Sequence, residues 1–225
     1  REGPPAPIPT PFTGYPKYNF VGGHIDAESI PVDDLIIALT KKLKAEGKTL
    51  ATYGQESGPQ GYKPLREFLA GHLKKTIGLK DTSEQILITS GSLQAMDLVN
   101  DLLLSPGDTV IAEDACYFGA LDRFARMGTF CRGVRVNDQG IDVKHLGELL
   151  AEQKSSGNPV KFIYTIPTVQ NPTGTVMPIQ NRYRLLELAE EYDCAVFEDD
   201  CYAELTWSGN RPPAIRSLDA MGRVI

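Results

Sequence analysis

Val160-Lys161-Phe162-Ile163-Tyr164 is followed by Thr165-Ile166-Pro167-Thr168-Val169-Gln170-Asn171-Pro172-Thr173-Gly174, a helical stretch from Pro178 to about Tyr192, and Cys194-Ala195-Val196-Phe197. The stretch reads as strand, loop, helix and strand. Pro178 suits a first helical position, where its missing N–H would have no partner anyway. A strand joined to another strand through a helix is a parallel pairing.

The same alternation extends toward the N-terminus. Gln85-Ile86-Leu87-Ile88-Thr89 reads as a buried strand, followed by a helix from Ser92 to about Leu104. Thr109-Val110-Ile111-Ala112 is a strand, with a helix from Tyr117 to Met127 behind it. A short strand over Thr129 to Val136 and a helix over Val143 to Gln153 complete the run. Apolar residues at helical spacing also predict helices from Pro31 to Ala45 (Val32, Leu35, Ile36, Leu39, Leu43) and from Lys63 to Lys75 (Leu65, Phe68, Leu69, Leu73). Alternating elements with short loops predict an α/β fold: a mostly parallel sheet sandwiched by helices. Residues 1–20 carry Pro4, Pro5, Pro7, Pro9, Pro11 and Pro16, which exclude regular helix or central strand. We read residues 1–30 as an extended arm and 31–225 as the globular part.

Composition excludes several classes. The 225 residues are 41% apolar and 23% charged, with net charge -6 and scattered basic residues. Nucleic-acid binding would need a basic stripe; a small anion could still be held by backbone amides. Cys116, Cys131, Cys194 and Cys201 have no C-x-x-C spacing, and His24, His72 and His145 lie far from them in sequence. Neither a zinc site nor a disulfide framework is expected. Reduced thiols point to a cytoplasmic setting. No apolar run has membrane-spanning length, and Arg1-Glu2-Gly3-Pro4-Pro5 opens no signal peptide.

Ligands of such sheets gather at the carboxyl ends of the strands. Thr89-Ser90-Gly91-Ser92-Leu93 opens a helix there, and its free amides and dipole suit an anion; an ordinary N-cap is the alternative. Glu113-Asp114-Ala115-Cys116-Tyr117 offers an aromatic face, unless Tyr117 simply packs. Asn171, fixed before Pro172, offers an amide donor to an oxygen anion, or merely forms an Asn-Pro turn. Glu198-Asp199-Asp200 needs a cation or donor, unless it is a solvated acidic turn or a site for a divalent metal. Phosphate, ring, phenolate oxygen and pyridinium nitrogen are the four features of pyridoxal phosphate, and the four loops offer one contact to each.

These stretches carry a resemblance. With Val21-Gly22-Gly23, Tyr53-Gly54, Gly58, Gly61, Leu65-Arg66, Tyr202 and Gly222-Arg223-Val224-Ile225, all in order, the chain resembles the class I/II aminotransferases among the fold-type I pyridoxal-phosphate enzymes. It is most similar to the branch of 2-aminoadipate and kynurenine aminotransferases and the aminotransferase-like domains of some bacterial regulators. The resemblance implies that Gly91, Ser92 and the amide of Leu93 cradle the phosphate and that Tyr117 stacks on the ring. Asn171 and Tyr202 would meet the phenolate oxygen. Asp199 would pair with the pyridinium nitrogen, with Asp200 as runner-up. Gly23 would lie against substrate. Tyr53 would reach the phosphate of a neighbouring subunit in a homodimer. Residues 31–225 would form an incomplete large cofactor-binding domain without the C-terminal small domain. The Schiff-base lysine, in a Ser-x-x-Lys stretch, would fall shortly past Ile225, so this chain would hold no catalytic residue of its own. The implied reaction moves an amino group between an amino acid and a 2-oxo acid. A lyase or racemase on the same scaffold, and a non-catalytic effector-binding domain of a transcriptional regulator, are the alternatives.

Overall fold

The structure is a computed structural model that describes residues 13–18, 22–206, 209 and 211–225. Half of the expected N-terminal arm, residues 1–12 and 19–21, lies outside these residues. The chain divides into two compact units, Arg1–Gly58 and Pro59–Ile225.

In the first unit the expected helix is α1, Val32–Glu46, with Asp33 and Asp34 in its first turn and Lys44 in its last, the arrangement that the helix dipole favours. Its apolar stripe of Val32, Leu35, Ile36, Leu39 and Leu43 is exposed throughout.

The second unit opens with α2, Lys63–Ile77, which ends on Gly78 in the left-handed conformation. Arg66 is its one buried residue; the guanidinium donates to the carbonyls of Gly61 and Ser83. The expected strand at Gln85–Thr89 does not form. Ser83–Gln85 is a turn of 3-10 helix closed by a capping box between Thr82 and Gln85. Ile86 is extended, but the segment's link to other backbone is the bond from Ile88 N–H to Gln60 O. Sequence pattern can supply an extended backbone, yet a strand also needs a neighbour to share its ladder bonds.

From there the alternation is as expected. α3 spans Ser92–Leu103, β1 Thr109–Glu113, α4 Phe118–Arg126 and β2 Phe130–Val134. The expected strand at Thr129–Val136 is two pieces, because β3 (Val136–Asn137) turns away to pair antiparallel with β4 (Gly140–Ile141). α5 (Val143–Ser155), β5 (Val160–Thr165), α6 (Ile179–Glu191), β6 (Ala195–Glu198) and the short α7 (Ile215–Leu218) follow. Pro178 is the extended N-cap of α6, one position before the expected place.

The main sheet has the order β2-β1-β5-β6, all parallel. Both faces are covered. Ile111, Ile163 and Val196 pack with Leu146 and Leu150 of α5 and Leu185 and Leu188 of α6. Val110, Ala112, Phe162, Tyr164 and Phe197 pack with Met96 of α3 and Phe124 of α4. The alternation follows from the two-residue period of strands. Strand order reverses direction between β1 and β5, so the crevice for a ligand opens at their carboxyl ends. Among the described residues, no helix is long and apolar enough to cross a membrane.

Candidate functional site

Three loops leave the carboxyl edge of this sheet, after β1, β5 and β6, and a fourth precedes α3. The first precedes α3. Gly91 is its N-cap, with φ 85°, and a Cβ there would meet open space. No side chain caps the helix. Ser90 N–H is taken by Gln94 Oε1 at 2.5 Å, and Thr89 Oγ1 bonds to Gly91 O. α3 packs on the sheet and ends shortly before β1 begins, so its N-terminus is directed back toward the carboxyl edge. Ser92 is exposed there and Leu93 half-buried.

The second loop follows β1. Tyr117 is the N-cap of α4 and packs beside the cluster holding Phe124 and Tyr164. Its ring folds over Gly119 so closely that any Cβ at 119 would overlap it. Gly119 is therefore a requirement of Tyr117's pose.

The third loop follows β5. The Asn171–Pro172 bond is cis. Gln170, 2% exposed, holds the loop on both sides. Its Nε2 donates to Glu113 Oε2 (2.8 Å) and Ala115 O (2.6 Å), and its Oε1 accepts from Thr173 N–H (2.8 Å) and Thr173 O–H (2.6 Å). Between these fixed points, the Asn171 side chain lies close enough to the phenol of Tyr202 to influence its ionisation.

The fourth loop follows β6, where the three acidic residues take separate partners. Glu198 accepts the N–H groups of Ile215 (2.7 Å) and Arg216 (2.8 Å) and lies 3.9 Å from the buried guanidinium of Arg182. Burial nevertheless pushes its carboxyl up to about 7. Asp199 Oδ2 accepts the phenol proton of Tyr164 at 2.6 Å, and its backbone N–H extends the ladder to Thr165 O. Asp200 is ion-paired with Arg211, which also grips Glu204. The three carboxylates diverge, unlike the ligands of a shared metal ion.

Tyr117, Asn171, Asp199 and Tyr202 thus come near one another: Asp199, Tyr117 and the Asn171 amide all act on the Tyr202 phenol. Gly23 (φ 58°) and Tyr53 (φ 55°, 95% exposed) belong to the other unit. The nearby thiols are not nucleophiles at neutral pH. Burial and Glu113 push Cys116 up to about 12, and burial and Asp199 push Cys201 up to about 12.

Sequence reasoning missed the supports. Glu113, 2% exposed at the end of β1, accepts Thr165 O–H (2.7 Å), Ile166 N–H (3.2 Å) and Gln170. Burial pushes its carboxyl up to about 7 against those bonds. A carboxylate as the last residue of an apolar strand, and a glutamine directly before Asn171, were the available signals. For Tyr164 the signal was a tyrosine late in an otherwise apolar run.

The fold and this edge define a parallel α/β protein with a built polar site at its topological switch point. A family model described as aminotransferase class I and II matches residues 25–224, and the chain belongs to that family. It is 36% identical over 208 residues to aromatic-amino-acid aminotransferase 1 of Thermococcus litoralis, covering 92% of this chain and 49% of that protein. The crystal structure of Pyrococcus horikoshii kynurenine aminotransferase in complex with PMP superposes with a TM-score of 0.83 at 40% identity, over 91% of this chain and 50% of that one. An uncharacterized HTH-type transcriptional regulator of Bacillus subtilis is 33% identical over 90% of this chain and 40% of its own length. The chain spans half the length, or less, of these relatives.

Proposed function

We propose that this chain supplies the pyridoxal-phosphate socket of an aminotransferase that moves an amino group between an amino acid and a 2-oxo acid. The observation that carries the reading is the meeting of Tyr117, Asn171, Asp199 and Tyr202 at one sheet edge, toward which the uncapped N-terminus of α3 is directed.

The donor set fits the cofactor. Ser92 and the amides that follow Gly91 would hold the phosphate, where free N–H groups and the helix dipole favour an anion. Tyr117 would lie against the ring. Asn171 and Tyr202, two neighbouring neutral donors, would share the phenolate oxygen. Asp199 would pair with the pyridinium nitrogen. Asp200 is the poorer candidate because Arg211 already neutralises it. When bound, the cofactor supplies an electron sink for charge developing at the substrate Cα. The protein's part is to orient the ring and to keep a carboxylate facing its nitrogen. Tyr164 holds that carboxylate by donating to Oδ2.

None of the four loops contains a lysine. Lys161 sits at the opposite, amino-terminal end of β5, near Asp108. We therefore take the Schiff-base lysine to lie past Ile225 and expect no transamination by the 225-residue chain alone. We also take Gly23 to lie against substrate and the protein to act in the cytoplasm as a homodimer. The 95% exposure of Tyr53 leaves it free to reach a neighbouring subunit's phosphate. A second reading, an effector-binding domain of a regulator, is favoured by the Bacillus subtilis relative.

Supplying the whole protein with pyridoxal phosphate, an amino acid and a 2-oxo acid tests the reading. The expected result is a new amino acid and a new 2-oxo acid in equal amounts. Cofactor binding without turnover would favour the regulator, and turnover by the 225-residue chain alone would overturn the placement of the lysine.

A further inference from the structure

Glu113 is a buried ionisable group for which the proposed chemistry has no use. It sits at the carboxyl end of β1, 2% exposed, beside the switch point of the sheet. It spends its hydrogen bonds on two different structures. One oxygen takes the hydroxyl of Thr165 and the N–H of Ile166, which fasten β5 to β1. The other takes Nε2 of Gln170, the residue directly before Asn171.

The orientation of the Gln170 amide is dictated by the chemistry of its partners. The carbonyl of Ala115 can only accept, so the nitrogen must face it, and Glu113 Oε2 takes the second N–H. The backbone N–H of Thr173 can only donate, so the oxygen must face it. The amide of Gln170 therefore spans Asn171 and Pro172, tied to Glu113 on one side and to Thr173 on the other. Removing the acceptor at 113 leaves one Nε2 hydrogen of Gln170 without its partner and the amide held by Ala115 O and Thr173 alone. A glutamine at 113 can present N–H groups to the N–H groups of Gln170, and the pair would then have to separate or flip.

We propose that Glu113 is a positioning residue, acting through Gln170 to set the loop that carries the Asn171 amide toward the cofactor's ring oxygen. The inference rests on the reading of Asn171 as the contact to that oxygen.

The test compares the binding of two probes to the whole protein, followed by fluorescence titration: pyridoxamine phosphate and its 3-deoxy analogue, which lacks the ring oxygen. The quantity read is the preference for the first over the second. Asn171→Ala should reduce that preference by about tenfold, the scale of one lost hydrogen bond. Glu113→Gln and Gln170→Met should reduce it comparably. Combining Gln170→Met with Asn171→Ala should add no further loss, because both act on one contact. Thr165→Val removes a bond to Glu113 that does not lead to Gln170, and should leave the preference intact. Gln170→Met keeps side-chain volume and serves if Glu113→Gln does not fold. An unchanged preference in the Gln170 and Glu113 variants, or equal weakening of both probes, would overturn the inference. An unchanged preference in Asn171→Ala would instead overturn the reading of Asn171.

Discussion

Tyr164 and Asp199 are joined across neighbouring strands by a 2.6 Å hydrogen bond from the phenol to Oδ2. Tyr164 is fully buried, edge-on to Phe124 at 5.8 Å between ring centroids and tilted against Phe197 at 5.6 Å. Its ring is fixed by packing, so its hydroxyl is a fixed donor, and burial and Asp199 drive its pKa upward. Asp199 thus inherits the rigidity of the core while lying at the ligand edge.

Tyr164→Phe keeps the packing and removes the donor. We expect a loss of about 1 kcal/mol in folding stability, less than a fully buried charged bond would cost because Asp199 reaches solvent. Cofactor affinity should fall as well, since Asp199 loses its orientation. Urea unfolding and a cofactor titration on the same variant measure the two effects separately.

Gly119→Ala should separate stability from binding. Alanine is the better helix former by about 1 kcal/mol, so the fold should not suffer. Its Cβ would displace the Tyr117 ring. We expect affinity for pyridoxal phosphate to fall by about tenfold with an unchanged or raised Tm. Unaltered affinity would remove Tyr117 from the ring contact.

Stability should decline as pH rises through neutrality. Glu113 and Glu198 are both raised from 4.5 to about 7 by burial. Between those values the folded state holds protons that the unfolded state releases. Their stabilising effect is complete at the acid end of the window and is lost as pH rises through 7. The ceiling is about 3 kcal/mol per group. Asp142 and Asp219, whose pKa values are lowered, act only at more acidic pH. Urea midpoints from about pH 5 to pH 8 should fall, and fall less steeply in Glu198→Gln. A rising midpoint over that range would contradict the assignment.

Arg182 is fully buried and donates to Met177 O, Pro167 O, Pro213 O and Thr168 Oγ1 while facing Glu198. Arg182→Met strands those acceptors and a buried carboxylate, and should cost about 3–5 kcal/mol. Arg182→Lys should rescue little, because one ammonium cannot reproduce the planar fork. Calorimetric Tm values of the two variants check this.

Local patterns in the sequence carried most of the fold. Val160 to Tyr164 and the helix after Pro178 are short-range signals, and both elements form where expected. Gln85 to Thr89 has the same apolar character but forms no strand, because a strand depends on a neighbour that its own residues do not specify. Within the candidate site, Tyr117 and Asn171 were legible because each stands in a loop after a strand, and Gly91 and Ser92 because they open a helix. The partners that hold them were not. Glu113 meets Gln170 across 57 positions, and Arg211 reaches back to Asp200 across 11. Asp199 and Asp200 look alike in sequence, and what separates them is the location of Tyr164 and Arg211 in space.

The most direct test of the account is the protonation state of the cofactor's ring nitrogen, read from the nitrogen NMR shift of ring-labelled pyridoxamine phosphate bound to the protein at mildly alkaline pH. The account predicts a protonated nitrogen in the wild type and in Asp200→Ala, and a deprotonated one in Asp199→Ala. A deprotonated nitrogen in the wild type, or a proton lost on changing Asp200 and kept on changing Asp199, would contradict it.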